Sequence, residues 1–129
     1  MLMTAVVTML PLGEPARFNP GQLEKLCEKL GDLRAETEVA HALDRLSVLL
    51  DDLARCRRSG DHADMGALLA ALVHDAQLIG MATLARVGQD VHDCLHSGDP
   101  TALAATLARL LRVGDRSIHA IWDLEDVSG

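Results

Sequence analysis

Twice along the chain a run of helical apolar spacing stops at a glycine and restarts at an aspartate, first at Ser59-Gly60-Asp61 and again at Ser97-Gly98-Asp99. A glycine accepts the left-handed backbone in which helices commonly end, and an aspartate just beyond it can take the free N–H groups of a new first turn. Two such breaks between apolar stripes point to helices folded back on one another rather than to strands.

The remaining punctuation sets five helices. Asn19 caps a short first helix over Pro20–Leu30, with Gln22 placed to complete a capping box and Gly31 at the exit. The second is expected over Asp32–Arg58, where Val39, Leu43, Leu46, Leu50 and Leu53 draw one apolar stripe, and Arg55, Arg57 and Arg58 complement the negative end of the helix dipole. The third is expected over Asp61–Ile79, burying Met65, Leu68, Leu69, Leu72, Ala76 and Ile79. Gly80 turns the chain into a fourth, Met81–His96, with the stripe Leu84, Val87, Val91 and Leu95. The fifth starts at Asp99-Pro100 and carries Leu103, Leu107, Leu110, Ile118 and Ile121, while Gly114 weakens its middle by ~1 kcal/mol relative to alanine. Four long amphipathic helices on short turns bury one another as an antiparallel up-down four-helix bundle, with the short first helix capping one end. The fold class read from the sequence is therefore all-α.

Composition agrees with this. A chain of 129 residues can bury roughly two thirds of its unfolded surface in one core. Only Phe18 and Trp122 are aromatic, and β-branched runs are scarce outside Met1 to Thr8, which favours helix on helix. Residues 17–126 read as one domain, preceded by an apolar arm over residues 1–16. That arm holds no Lys or Arg before Arg17, and Pro11 interrupts it well short of the ~20 residues a membrane span needs. A disordered start and a strip packed on the bundle or on a neighbouring subunit both remain open for it. No membrane insertion or export is expected, and the location implied is the cytoplasm.

The formal charge of -7, from 19 acidic and 12 basic side chains, argues against nucleic acid as a partner. Cys27, Cys56 and Cys94 are odd in number, widely spaced and without a CxxC pair, so neither a disulfide framework nor a zinc knuckle is indicated. No cofactor or metal is called for. His92 and His96 lie one turn apart, but two histidines alone form no closed metal site. Arg109, Arg112 and Arg116 line one side of the fifth helix, to pair acidic residues of the second or to meet an acidic partner, intramolecular pairing being the simpler reading. The acidic pairs Asp51-Asp52 and Glu125-Asp126 read as solvated faces, because adjacent helix residues diverge around the axis. No nucleophile elbow, phosphate-binding glycine loop, HExxH or dinucleotide fingerprint occurs, which leaves signalling or binding in place of ordinary enzymology.

A short helix introduced by Phe18-Asn19-Pro20, a long helix, a Ser-Gly-Asp turn, a helix ending at glycine, another helix, a second Ser-Gly-Asp turn and a last helix together resemble a bacterial histidine phosphotransfer (HPt) domain over about residues 17 to 122. The resemblance lies in helix order, turn spacing and glycine placement. It implies a phosphoryl carrier of a two-component phosphorelay, whose partners are a response regulator or receiver domain and a sensor kinase. The family motif sets its phosphorylated histidine ten residues after the turn glycine and ten before the glycine ending the helix, with a lysine at plus three and a glycine at plus four. Counting from Gly60 and back from Gly80 both lead to Ala70, with Val73 and His74 at the two following motif positions.

A phosphoacceptor imidazole must be exposed and nucleophilic, and a neighbouring donor must steady the phosphoryl oxygens. Ala70 has no nucleophile. One turn on, His74 is the candidate acceptor, with Gln77 as a candidate phosphate donor contact, although Leu78 stands where the family has a small residue. Gly66, Ala70, His74 and Gln77 share a face opposite Leu69, Leu72, Ala76 and Ile79, which makes them the candidate partner-binding residues. Three readings stay open: a phosphorelay protein acting through His74, a degenerate docking or sequestering module of the same fold, and a helical self-association scaffold unrelated to phosphorelay. For His74 itself, a solvent-facing histidine with no further role is the ordinary alternative.

Overall fold

The computed structural model describes the chain from Asn19 to Ser128, with side chains at Asn19 and from Gly21 to Ile121. The apolar arm over residues 1–16 lies outside the described residues, as do Phe18 and the side chains of Trp122, Glu125 and Asp126.

The described residues form five helices and no strand: α1 Pro20–Leu30, α2 Asp32–Ser59, α3 Met65–Leu78, α4 Ala82–Ser97 and α5 Pro100–Ser128. Two of the helix starts carry a side-chain cap. At α1, Asn19 Oδ1 accepts from the backbone N–H groups of Gly21 and Gln22 at 3.0 and 3.3 Å, satisfying two of the donors a first turn leaves free. At α5, Asp99 Oδ1 does the same for Thr101 and Ala102, both at 3.0 Å.

Three local expectations are corrected. Gln22 does not complete a capping box; its amide donates across the fold to the Leu78 carbonyl at 3.4 Å, tying α1 to the end of α3. The third helix starts at Met65, not Asp61, because Asp61 Oδ1 accepts from the Ala63 N–H at 3.0 Å and so bends the chain into a separate turn. Asp64 then occupies the cap position without a side-chain cap bond. Leu68 is only half-buried, because it borders the open side between α2 and α3.

α2 packs on α3 and α5, and α4 packs on the same two helices, so every long helix has two long neighbours. α1 lies on α2 and touches α3. The core between them is aliphatic, with Leu43, Leu53, Leu69, Leu72, Val91 and Leu110 fully excluded from water. Two helix glycines mark where backbones approach closely. A Cβ on Gly88 of α4 would fall 2.7 Å from Leu72 Cδ2 and 3.1 Å from Val73 Cγ2 of α3. One on Gly114 of α5 would meet both Leu50 methyls of α2 at 2.7 Å. Gly114 therefore makes room for Leu50, which offsets its weak propensity.

The α3–α4 turn depends on Gly80. Its φ of +77° lies in the left-handed region, and a Cβ there would meet the Asn19 carbonyl oxygen at 2.9 Å. The same residue's carbonyl accepts the Asn19 N–H at 2.6 Å, so the start of α1 is pinned to the end of α3.

Candidate functional site

α3 supplies the site because its two sides differ so sharply. At about 100° per residue, Met65, Leu69, Leu72 and Ala76 fall on one side and are buried, while Ala67, Ala70, Ala71, His74 and Gln77 fall on the other and are exposed. Gly66 is half-buried, and a Cβ added there would meet only Leu95 Cδ2, at 3.8 Å. Of the four residues expected to share a partner-facing surface, Ala70, His74 and Gln77 are thus exposed together and Gly66 stands at its margin.

His74 is the central feature of that face. Its imidazole has no hydrogen-bond or ion-pair partner among the described residues, which leaves either ring nitrogen available to a visitor. Toward the C-terminal end of α3 the surface dips into a cleft of about 510 Å³ lined by His74, Gln77, Leu78 and Gly80, together with Asn19 and Gln22 from α1 and Ala82 from α4. Three carboxamides and one imidazole line it, with no carboxylate and no cation. Such a lining can donate hydrogen bonds to an anionic group without supplying a neutralising charge.

The residues at the family's positions are placed differently. Ala70 is exposed, and Val73, three further on, is buried against Gly88. Leu78, four after His74, is half-buried and lines the cleft.

One charged pair near the site escaped sequence reasoning. Asp75 is 6% exposed, and Arg45 of α2 grips it in two bonds, Nε to Oδ2 at 3.1 Å and Nη2 to Oδ1 at 3.2 Å. A carboxylate held out of water demands such a partner, and the fork of the guanidinium matches it. The same Arg45 reaches Glu38 at 3.4 Å, and its guanidinium is held above its ordinary pKa first by the Asp75 hydrogen bond. The available signal was weak: Asp75 is the one acidic residue of α3, and it sits beside the apolar stripe.

The other constellations do not converge. The rings of His92 and His96 lie 4.3 Å apart, but the His96 Nδ1 engages the His92 carbonyl at 2.9 Å, and among the described residues no group of three or more His, Cys, Asp or Glu is placed to hold a metal. Arg109, Arg112 and Arg116 make no ion pair with α2 or any other described residue; α2 uses Arg55 internally, with Asp52. His119 instead pairs with Asp115 one turn before it. Cys27, Cys56 and Cys94 are unpaired and half-buried. Burial raises the Cys27 thiol pKa, and the Asp32 carboxylate adds to the shift. No helix among the described residues is long and apolar enough to cross a membrane.

Comparison of the chain with protein-family models, with curated proteins and with solved structures finds no match in any of the three.

Proposed function

We propose that the chain is a histidine phosphotransfer-type protein of a cytoplasmic two-component phosphorelay, an antiparallel up-down four-helix bundle of α2 to α5 with α1 across one end, which docks the receiver domain of a response regulator through the outer face of α3. One observation carries the reading: an exposed, unbonded imidazole, His74, stands at the centre of a helix face whose preceding turns present only alanine and glycine. Small side chains let a partner's backbone come close, and the free imidazole faces it there.

On this reading the lone pair of one His74 ring nitrogen forms an N–P bond as the O–P bond of a receiver aspartyl phosphate breaks. The aspartate leaves as carboxylate, and the Gln77 amide, three residues on, donates to a phosphoryl oxygen. A second reading, docking without transfer, draws on a separate observation: Ala70 occupies the family's acceptor position, and buried Val73 stands where the family carries a cation.

Incubation with a receiver domain carrying ³²P on its aspartate separates the two. Acid-labile, alkali-stable label on this chain, abolished in His74→Ala, is the result transfer requires. Label that persists in His74→Ala refutes the His74 assignment. Receiver binding without label leaves docking alone, and failure to bind any receiver, with concentration-dependent self-association, replaces both by a scaffold.

A further inference from the structure

α2 and α3 enclose a continuous groove on their outer side, with one half of about 600 Å³ beside the Ser59 turn and another of about 380 Å³ beside Asp75. Leu49 and Ala71 line both halves, so the two are one surface feature. Its floor is apolar, completed by Leu68 and Ala67 toward the turn, and Val48 stands 60% exposed at the other edge. From Arg45 to Ser59 the α2 wall runs ~21 Å at 1.5 Å per residue, room for about four turns of a visiting helix.

The rim is acidic. Asp44, Asp61 and Asp64 line it, exposed and with no ion-pair partner among the described residues. The two arginines that line the groove, Arg45 and Arg55, are taken by Asp75 and Asp52. An apolar floor between unpaired carboxylates is complementary to one kind of occupant, an amphipathic helix with lysine or arginine flanking its apolar stripe. The chain's own first twelve residues carry no charged side chain, so they match the floor and not the rim.

We propose that this α2–α3 groove binds a cationic amphipathic helix of a partner protein. The inference rests on the docking reading above and deepens it, naming the recognition element and setting it on the α2 side of α3. His74 is not among the lining residues, so recognition and any phosphoryl transfer occupy adjacent surfaces.

The test is fluorescence anisotropy of the full chain with a labelled peptide of about 18 residues, leucine at i, i+3/i+4 and i+7 with flanking lysines, and with a twin carrying glutamate for every lysine. Binding of the lysine peptide alone is expected, weakened about tenfold or more by Val48→Asp and by Asp64→Lys, and less than about twofold by Asp93→Lys on α4, which changes net charge equally. Circular dichroism confirms that each variant folds. Equal weakening by Asp93→Lys and Asp64→Lys would reduce the effect to net charge and overturn the proposal, as would a lysine peptide that does not bind or is indifferent to Val48→Asp. A receiver that binds and transfers label while the peptide fails overturns the groove and leaves the relay; a peptide that binds as expected while no receiver does has the opposite meaning.

Discussion

Replacing Gly88 by alanine sets two known effects against each other at one atom. Helix propensity favours alanine by ~1 kcal/mol, since glycine loses more backbone freedom on folding. The new Cβ would lie 2.7 Å from Leu72 Cδ2 and 3.1 Å from Val73 Cγ2. Neither neighbour moves freely: Leu72 is fully buried, and Val73 is β-branched with essentially one rotamer in a helix. Overpacking of this kind costs about 1–3 kcal/mol, and two constrained neighbours place it in the upper part of that range. The net expectation is destabilisation by about 1–2 kcal/mol, or roughly 4–8 °C in Tm for a chain of this length. Urea unfolding followed at 222 nm measures it, with an unchanged m-value showing that only stability has moved. Leu72→Ala alone should cost about 2–5 kcal/mol, and its added cost should fall by about 1 kcal/mol in the Gly88→Ala background, where the new methyl enters the vacated space. If Gly88→Ala is stabilising by the full propensity difference, α3 and α4 are not in the close contact argued for them.

Other substitutions probe the remaining supports. Arg45→Met should cost about 1–3 kcal/mol by chemical denaturation, because it strands the Asp75 carboxylate, and Arg45→Met with Asp75→Leu should recover most of that loss. Gly80→Ala combines a positive φ with a 2.9 Å approach to the Asn19 carbonyl, so a Tm drop larger than that of Gly88→Ala is expected in thermal melts. Because the Cys27 pKa is raised, less thiolate is present at any pH below it; iodoacetamide labelling, read by peptide mass spectrometry, should be slower at Cys27 than at glutathione at pH 8, with its half-maximal pH displaced upward. Ala70→Glu, on an exposed helix position, should change stability by no more than about 0.5 kcal/mol while weakening receiver capture in pull-down assays; capture at full strength would remove α3 from the interface.

Helix order was readable from the chain because a period of 3.6 and a few glycine and aspartate positions are local signals. His74 could be placed on the solvent side for the same reason, since Leu69, Leu72 and Ala76 fix the direction of the core. The start of α3 lies four residues beyond the Asp61 cap that the turn pattern indicates, because the Ala63 N–H bond to Asp61 Oδ1 bends the chain into a separate turn, which no local residue preference distinguishes from a first helical turn. Gly88 and Gly114 carried no warning: one-helix arithmetic sees a lost propensity, whereas their value depends on which side chain of another helix faces them. The Arg45–Asp75 pair spans thirty residues of sequence and joins two helices, and no spacing rule selects Arg45 from twelve basic side chains.

The alanines of α3 do not by themselves argue for docking, because alanine is the best helix former and belongs on any helix surface. The contrast with the other helices does. Exposed positions of α2 include Asp44, Arg55, Arg57 and Arg58, those of α4 include Arg86 and Asp93, and those of α5 include Arg109, Arg112 and Arg116. Among the exposed residues of α3 there is no Asp, Glu, Lys or Arg. A helix with solvent as its only neighbour gains solubility and favourable i,i+4 pairs from charge, and the other long helices carry it throughout. On α3 the one acidic residue is turned inward and paired with Arg45, so the outer face presents no Asp, Glu, Lys or Arg beside His74. A partner seated there would have little to desolvate and small side chains to close upon, which is the physical requirement for bringing two reacting groups together.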